Sequence, residues 1–283
     1  MTLSRVPPLA LVLVAIGSLQ FGAALGVTLF DDVGPTGAAA VRLLFAAAIL
    51  LAVWRPDPRA HARDALRIAV VFGLVLGTMN WMIYLALDRI PVGIAITLEF
   101  LGPLGVAIVG SRTRLDLLWV LLAGLGVVLL ADPFGAGGPD GLGVAFALAA
   151  GALWAAYIVV AQQAGRHFRG ATGLAIAMGV AALVPLGPGI AEGGADLLGP
   201  EVLAIGAVVA LTSSVIPYSL ETEALRRMRR NVFGVLMSIE PAVAALAGFV
   251  VLGQELGGRE LVAIGLVVAA SAGATRAPVP DPA

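Results

Sequence analysis

Residues 94–105 read IAITLEFLGPLG, and residues 235–243 read VLMSIEPAV. Each stretch lies in the middle of an apolar run long enough to cross a bilayer. Each also carries one carboxylate, Glu99 or Glu240, where a lipid-facing helix would carry none. The two acids are 240 − 99 = 141 residues apart. The same shift takes Gly124-Leu125 onto Gly265-Leu266 and Val127-Val128 onto Val268-Ala269, so one register serves two consecutive segments of each half. Two halves with an acid at one depth point to a transporter.

The composition agrees. The 283 residues are 60% hydrophobic and 12% charged, with mean hydropathy +1.01, whereas a soluble domain has roughly twice that share of charge. No sizeable soluble domain is left over. The net charge of −1 and the scattering of basic residues through short loops give no nucleic-acid surface. All 17 basic residues are arginine, which reflects GC-rich coding rather than a functional choice. Cysteine is absent, which excludes disulfides, thiolate metal sites and cysteine nucleophiles. His61 and His167 both lie in arginine-containing loops, which excludes an intramembrane histidine metal cluster. Neither a metal nor a cofactor is expected.

Ten apolar runs follow one another. Leu9 to about Phe30 exceeds the h-region of a signal peptide, roughly 7–15 residues, and reads as a retained span closed by Asp31-Asp32. Next come Gly34–Trp54, interrupted by Arg42, then Arg67–Leu87, Ile90–Gly110 with Glu99, and Leu115–Ala131. After a Pro/Gly-rich link come Leu142–Ala164, Thr172–Ile190, Pro200–Leu225, Val232–Leu252 with Glu240, and Glu260–Thr275. Lipid permits helices or closed barrels, and the alternating segments of ~10 residues that a barrel needs are missing. The expected fold is an all-α integral membrane protein of ten transmembrane helices. Residues 1–131 form a first five-helix repeat, 132–141 a linker, 142–275 a second repeat, and 276–283 a disordered cytoplasmic tail.

Arginine asymmetry sets the orientation. With the N-terminus inside, inner segments hold Arg5, Arg55, Arg59, Arg63, Arg67, Arg112, Arg114, Arg166, Arg169, Arg226, Arg227, Arg229, Arg230 and Arg276, while outer loops hold only Arg89 and Arg259. Both termini are therefore expected in the cytoplasm. Five helices per half is odd, so the halves cross in opposite senses. This is the inverted-repeat plan of many secondary transporters, which places the site near the midplane.

Intramembrane charge costs about +2.5 to +3.5 kcal/mol on insertion scales, so Arg42, Glu99, Glu221 and Glu240 should face an interior or a hydrated cavity. A buried glutamate disfavours its anion and a nearby arginine favours it, which poises such a group for proton exchange. The plain alternative is that Arg42 pairs with a glutamate merely to neutralise it, and that Glu221, near RRMRR, is an interfacial anchor. The uncharged candidates are Gln20, Asn80, Trp81, Tyr84, Trp154, Tyr157, Ser213, Ser214 and Tyr218. For these, helix–helix glue or interfacial belts are the plainer reading. Pro103, Pro217 and Pro241 should open helix backbone near the middle, exposing carbonyls or bending the helix.

Three stretches carry a resemblance: IPVGIAITLEFLGPLGVAIVGSR (90–112), SSVIPYSLETEAL (213–225) and FGVLMSIEPAVAALAGFVVLGQEL (233–256). With MNWMIYLAL and GALWAAYIV, they make the chain similar, over essentially its whole length, to the threonine and homoserine exporters of the EamA group in the drug/metabolite transporter superfamily. The EPAVAAL…LGQEL run is common to EamA repeats, while LEFLGPL and IPYSLE point to the amino-acid exporters. The resemblance implies ten helices in two inverted repeats, a central cavity and alternating access. It also implies proton-driven export of threonine, homoserine or similar amino acids across the bacterial inner membrane. Glu99 with Gly102-Pro103, Glu221 with Pro217-Tyr218, and Glu240 with Pro241 match the subgroup's signature positions, and Arg42 matches an arginine often seen in the family's second helix.

The leading expectation is a proton-coupled exporter of small neutral amino acids, with partners limited to substrate, protons and the bilayer and a homodimer left open. In it, Glu99 or Glu240 takes a proton or the substrate ammonium, Arg42 or a half-helix N-terminus meets the carboxylate, and Asn80 with the tyrosines reads a side-chain hydroxyl. The rival is a broader drug or metabolite exporter of the same fold. An intramembrane hydrolase lacks its nucleophile pairs, because there is neither cysteine nor an intramembrane histidine. A non-transporting scaffold gives no reason for the matched acids.

Overall fold

A computed structural model describes residues 6–109, 114–131, 139–168, 170–225, 227 and 236–276. Every regular element among the described residues is helical. The helices are α1 (Pro8–Val27), α2 (Phe30–Trp54), α3 (Arg63–Leu87), α4 (Val92–Glu99), α5 (Leu101–Val109) and α6 (Arg114–Ala131). They continue with α7 (Gly141–His167), α8 (Thr172–Leu183), α9 (Leu186–Gly193), α10 (Pro200–Ala210), α11 (Ile216–Leu225), α12 (Glu240–Leu252) and α13 (Gly258–Arg276). A π-helical segment, Leu211–Val215, joins α10 to α11.

Among the described residues, five helical runs are long and apolar enough to cross a membrane: α1, α2, α3, α7 and Pro200–Glu221. They become six if α8 and the run Leu186–Leu198, bent by 43°, form one span. The other expected spans are shorter or interrupted. The run expected over Ile90–Gly110 is split at Phe100 into α4 and α5. The start of Val232–Leu252, most of the 132–141 linker and residues 277–283 lie outside the described residues. Asp31 and Asp32 do not close the first span, which ends at Val27; they sit in the first turn of α2, where the helix dipole favours negative charge.

The three prolines also behave differently from the expectation of mid-helix openings. Each stands in the first turn of a helix that restarts: Pro103 in α5, Pro217 in α11 and Pro241 in α12. There its missing N–H is one of the donors that has no intrahelical acceptor anyway. The cost falls one turn back, where the carbonyls of Glu99, Ser213 and Met237 lose their i+4 donor.

A fourth break lies in α2. Gly34 has φ +69°, Pro35 follows, and the restarted helix is capped from another element. Glu192 of α9 accepts the backbone N–H of Thr36 at 2.8 Å and of Gly37 at 3.2 Å.

The packing is dense in small residues, which let helices approach without a hydrophobic drive from lipid. α3 packs on α7 and α8, and α1 packs on α10, the π segment, α11 and α12. α2 packs on α8, α9 and α10, and α4 packs on α12. α4 and α5 together lie on α7, and α6 lies on α13. Where α4 gives way to α5 the contact with α7 is backbone on backbone. A Cβ on Gly151 would sit 2.7 Å from the Glu99 carbonyl oxygen, and one on Gly102 would collide with the Gly151 carbonyl.

Candidate functional site

Helices α1, α2, α3, α4, α7, α11 and α12 converge on a central cavity of about 90 Å³. Ten of the thirteen side chains singled out in the sequence line it: Gln20 from α1, Arg42 from α2, Asn80 and Tyr84 from α3, Glu99 from α4, Trp154 and Tyr157 from α7, Tyr218 and Glu221 from α11, and Glu240 from α12. The three prolines do not line it; Pro103 lines a neighbouring hollow instead, and Pro217 and Pro241 line neither. Trp81 lies elsewhere, donating to Thr36 Oγ1 at 3.2 Å between α3 and α2.

Arg42 is 4% exposed and is held by the α10–α11 junction. Its Nε donates to Ser214 Oγ at 3.2 Å and its Nη2 to the Ser213 carbonyl at 2.8 Å. That carbonyl is the one Pro217 deprives of its helical donor, and the π segment carries both serine acceptors. The guanidinium also lies over the Tyr84 ring, 5.3 Å from its centroid. Among the described residues no carboxylate lies within ion-pair distance of Arg42. Simple neutralisation by pairing is therefore not what holds this arginine, and two bonds leave three of its five N–H donors unclaimed.

Glu240 is fully buried in the first turn of α12, and neither of its carboxyl oxygens has a partner. Gln20 Oε1 and the Tyr84 hydroxyl are likewise buried and unpartnered. These four atoms are the whole set of such side-chain atoms among the described residues, and all four belong to the cavity. Native structures leave few buried polar atoms unsatisfied, so a cluster of them in one hollow marks a place for a polar guest. Asn80 donates to the Leu76 carbonyl at 2.8 Å and lies within hydrogen-bonding reach of Tyr218. Leu19, Ala23, Met79, Ile83, Leu87, Ile96 and Met237 complete the wall with Tyr157. No polar signal distinguishes the apolar ones from core in the sequence.

A second, larger hollow of about 610 Å³ adjoins the first. Trp154, Tyr157, Glu221 and Met237 line both. It runs along α7 to Phe168 and the α7–α8 turn, the end where the arginine-rich 55–63 loop packs through His61 against Phe168 at 4.7 Å. Of the cavity wall, Ile83, Tyr84 and Leu87 belong to one buried apolar cluster with Leu29, Val33 and Ile90. Among the described residues no group of three or more His, Asp or Glu could hold a metal ion.

The whole chain can be set beside known proteins. It is 42% identical over 270 residues to the threonine/homoserine exporter RhtA of Escherichia coli (strain K12), covering 95% of this chain and 91% of that one. Residues 141–276 match the model of the EamA-like transporter family. The chain belongs to the EamA-like transporter family. Threonine/homoserine exporter RhtA of Salmonella typhimurium (strain LT2) is 41% identical to this EamA-like transporter over the same coverage. A solved crystal structure aligns with 94% of this chain and 97% of its own at TM-score 0.59; its 20% identity shows a shared fold alone. This EamA-like transporter is a multi-pass membrane protein.

Proposed function

We propose that this chain exports small neutral amino acids of the threonine or homoserine type from the cytoplasm, by proton antiport with alternating access across a bacterial inner membrane. The observation that carries the proposal is the four unpartnered buried polar atoms beside an arginine with spare donors in one small cavity. A zwitterion supplies what they lack: a carboxylate for Arg42, and an ammonium for Glu240, Glu99 or the Gln20 oxygen. A hydroxyl can be read by Asn80, Tyr84 and Tyr218. At about 30 Å³ per water, the share each takes in the liquid, the 90 Å³ cavity is the size of about three waters and suits a small solute. That size speaks against the broader drug exporter. The names of the curated relatives point the same way.

Protons enter through charge. Glu99, Glu221 and Glu240 share the cavity with one cation, Arg42. Full ionisation would leave net negative charge in a low-dielectric site, and protons or a substrate ammonium are the available counter-charges. Alternating access draws support from the packing scheme. Take residues 1–131 and 142–275 as two repeats of five spans. Exchanging them turns the α3–α7 contact into that of α1 with α10–α11, and α3–α8 into α2–α10. The α4/α5–α7 contact becomes α1–α12, while α4–α12 and α6–α13 map onto themselves. That exchange symmetry is what two structurally equivalent five-span repeats produce, and it supports the inverted-repeat reading. The cavity is complete within one chain, so a homodimer is not required for it.

The test is counterflow in proteoliposomes loaded with unlabelled threonine, following labelled threonine with and without an imposed pH gradient. Gradient-sensitive exchange, lost in Glu99→Gln or Glu240→Gln protein that still inserts, is the expected result. Wild-type rates in both variants, or flux of another solute in place of threonine, would overturn the assignment.

A further inference from the structure

We propose that Glu221 is the proton-exchange residue between the substrate cavity and the vestibule at the arginine-rich end, a role that rests on the proton-antiport reading above. Glu221 is the one carboxyl among the described residues that lines both hollows; Glu99 and Glu240 line only the inner one. Its companions at the junction are Trp154, Tyr157 and Met237. Trp154 is braced edge-on against Phe100 at 5.5 Å, and Tyr157 is set against Phe72 at 5.4 Å. A substrate-sized solute crossing the junction would have to move these rings, whereas a proton needs only a titratable group with one foot in each compartment. The titratable and charged groups facing Glu221 across the cavity are Arg42, Tyr84, Glu99, Tyr157, Tyr218 and Glu240. The described arginine of the RRMRR cluster, Arg227, lies 3.6 Å from Glu223, one turn from its own position on the same helix end.

The step balances as a relay. An O–H bond on the Glu240 or Glu99 carboxyl breaks, directly or through water, as one forms on the Glu221 carboxylate. Glu221 then gives that proton to vestibule water and returns to its anion. One positive charge leaves the substrate cavity, and the emptied carboxylate is free to take a substrate ammonium arriving by the same vestibule. Glu221 therefore acts on coupling, whereas Glu240 and Glu99 act on substrate and proton together.

The experiment has two arms, and the natural absence of cysteine makes the second direct. In proteoliposomes, the ratio of gradient-driven to counterflow threonine flux is expected to fall by about tenfold or more in Glu221→Gln and to recover in Glu221→Asp. In Glu240→Gln both fluxes fall together. A wild-type ratio in Glu221→Gln, or parallel loss of both fluxes as in Glu240→Gln, overturns the role. The second arm compares single-cysteine variants Glu221→Cys, Gln162→Cys in the vestibule and Gln20→Cys in the inner cavity, using a membrane-impermeant cationic methanethiosulfonate added from the arginine-rich side. Glu221→Cys should react at a rate near that of Gln162→Cys and about tenfold or more above Gln20→Cys; labelling as slow as Gln20→Cys overturns the proposal. Wild-type protein without threonine flux would sink the exporter reading instead, and the labelling arm still decides whether Glu221 reaches the vestibule.

Discussion

Replacing Arg42 by lysine keeps the charge and removes the fork, which makes it the sharpest test of how a carboxylate would be held. Two of the five guanidinium donors are committed, to Ser214 Oγ and the Ser213 carbonyl. The remaining three can grip a carboxylate through two parallel bonds. A lysine ammonium has three donors on one nitrogen and cannot serve both serine acceptors and a bidentate ligand. The variant therefore loses at least one charge-assisted hydrogen bond, about 1.5–3 kcal/mol. At about 1.4 kcal/mol per decade, Arg42→Lys should bind threonine about 10- to 150-fold more weakly. The assay is equilibrium binding of labelled threonine to detergent-purified protein, with thermal unfolding of the same samples as a fold control. Threonine amide, which lacks the carboxylate, serves as the second axis of a double-perturbation cycle. It should bind wild type weakly and lose little more in Arg42→Lys. Threonine affinity within about threefold of wild type in a well-folded Arg42→Lys protein would refute the assignment of Arg42 to the carboxylate.

Two further outcomes follow from the packing and from a helix cap. A Cβ on Gly26 would sit 2.5 Å from the Tyr84 hydroxyl, whereas one on Gly17 of the same helix meets nothing within 4 Å. Gly26→Ala should therefore displace Tyr84 and weaken threonine binding by about tenfold, while Gly17→Ala leaves it unchanged; equal effects would exclude the Tyr84 contact as the cause. Asp140 caps α7, accepting the N–H groups of Leu142 at 2.7 Å and Gly143 at 2.9 Å beside Arg89 at 3.5 Å. Chiefly the Gly143 N–H, with Leu142 and Arg89 adding, holds its carboxyl below the ordinary 3.8 against some desolvation. Because the folded value is the lower one, the stabilisation is complete above pH 3.8 and is lost as pH falls through the folded value. The Tm gap between wild type and Asp140→Ala should be constant above that pH and close below it. A gap that persists to strong acid would mean the cap does not depend on ionisation.

Much of this was legible in the sequence because charge is costly in lipid. Glu99, Glu240 and Arg42 stand out against apolar runs, and the shift of 141 residues ties the two acids together. Which face of each helix looks inward was not legible. A face against acyl chains and a face against protein are both apolar, so periodicity says little, and Met79, Ile83, Ile96 and Met237 look like any core residue. Ser213 and Ser214 read as helix glue; their service to Arg42 depends on a π segment and on Pro217, a conformation the residue types alone do not announce. The prolines were visible as breaks, yet their position in the first turn of a restarting helix needed the coordinates, as did the cap that Glu192 lends to α2.

The bare crossing of Gly102 and Glu99 against Gly151 has a mechanical consequence. A contact made of backbone alone has no rotamers to rearrange, so two helices can swivel about it as on a bearing while their far ends travel. They cannot part there at equal ease. The Glu99 carbonyl, stripped of its helical donor by Pro103, is covered by the Gly151 backbone, and separation would remove that cover. The place where the chain is thinnest is thus a pivot that resists opening but not turning, made by the backbone of the very acid that stands in the cavity wall.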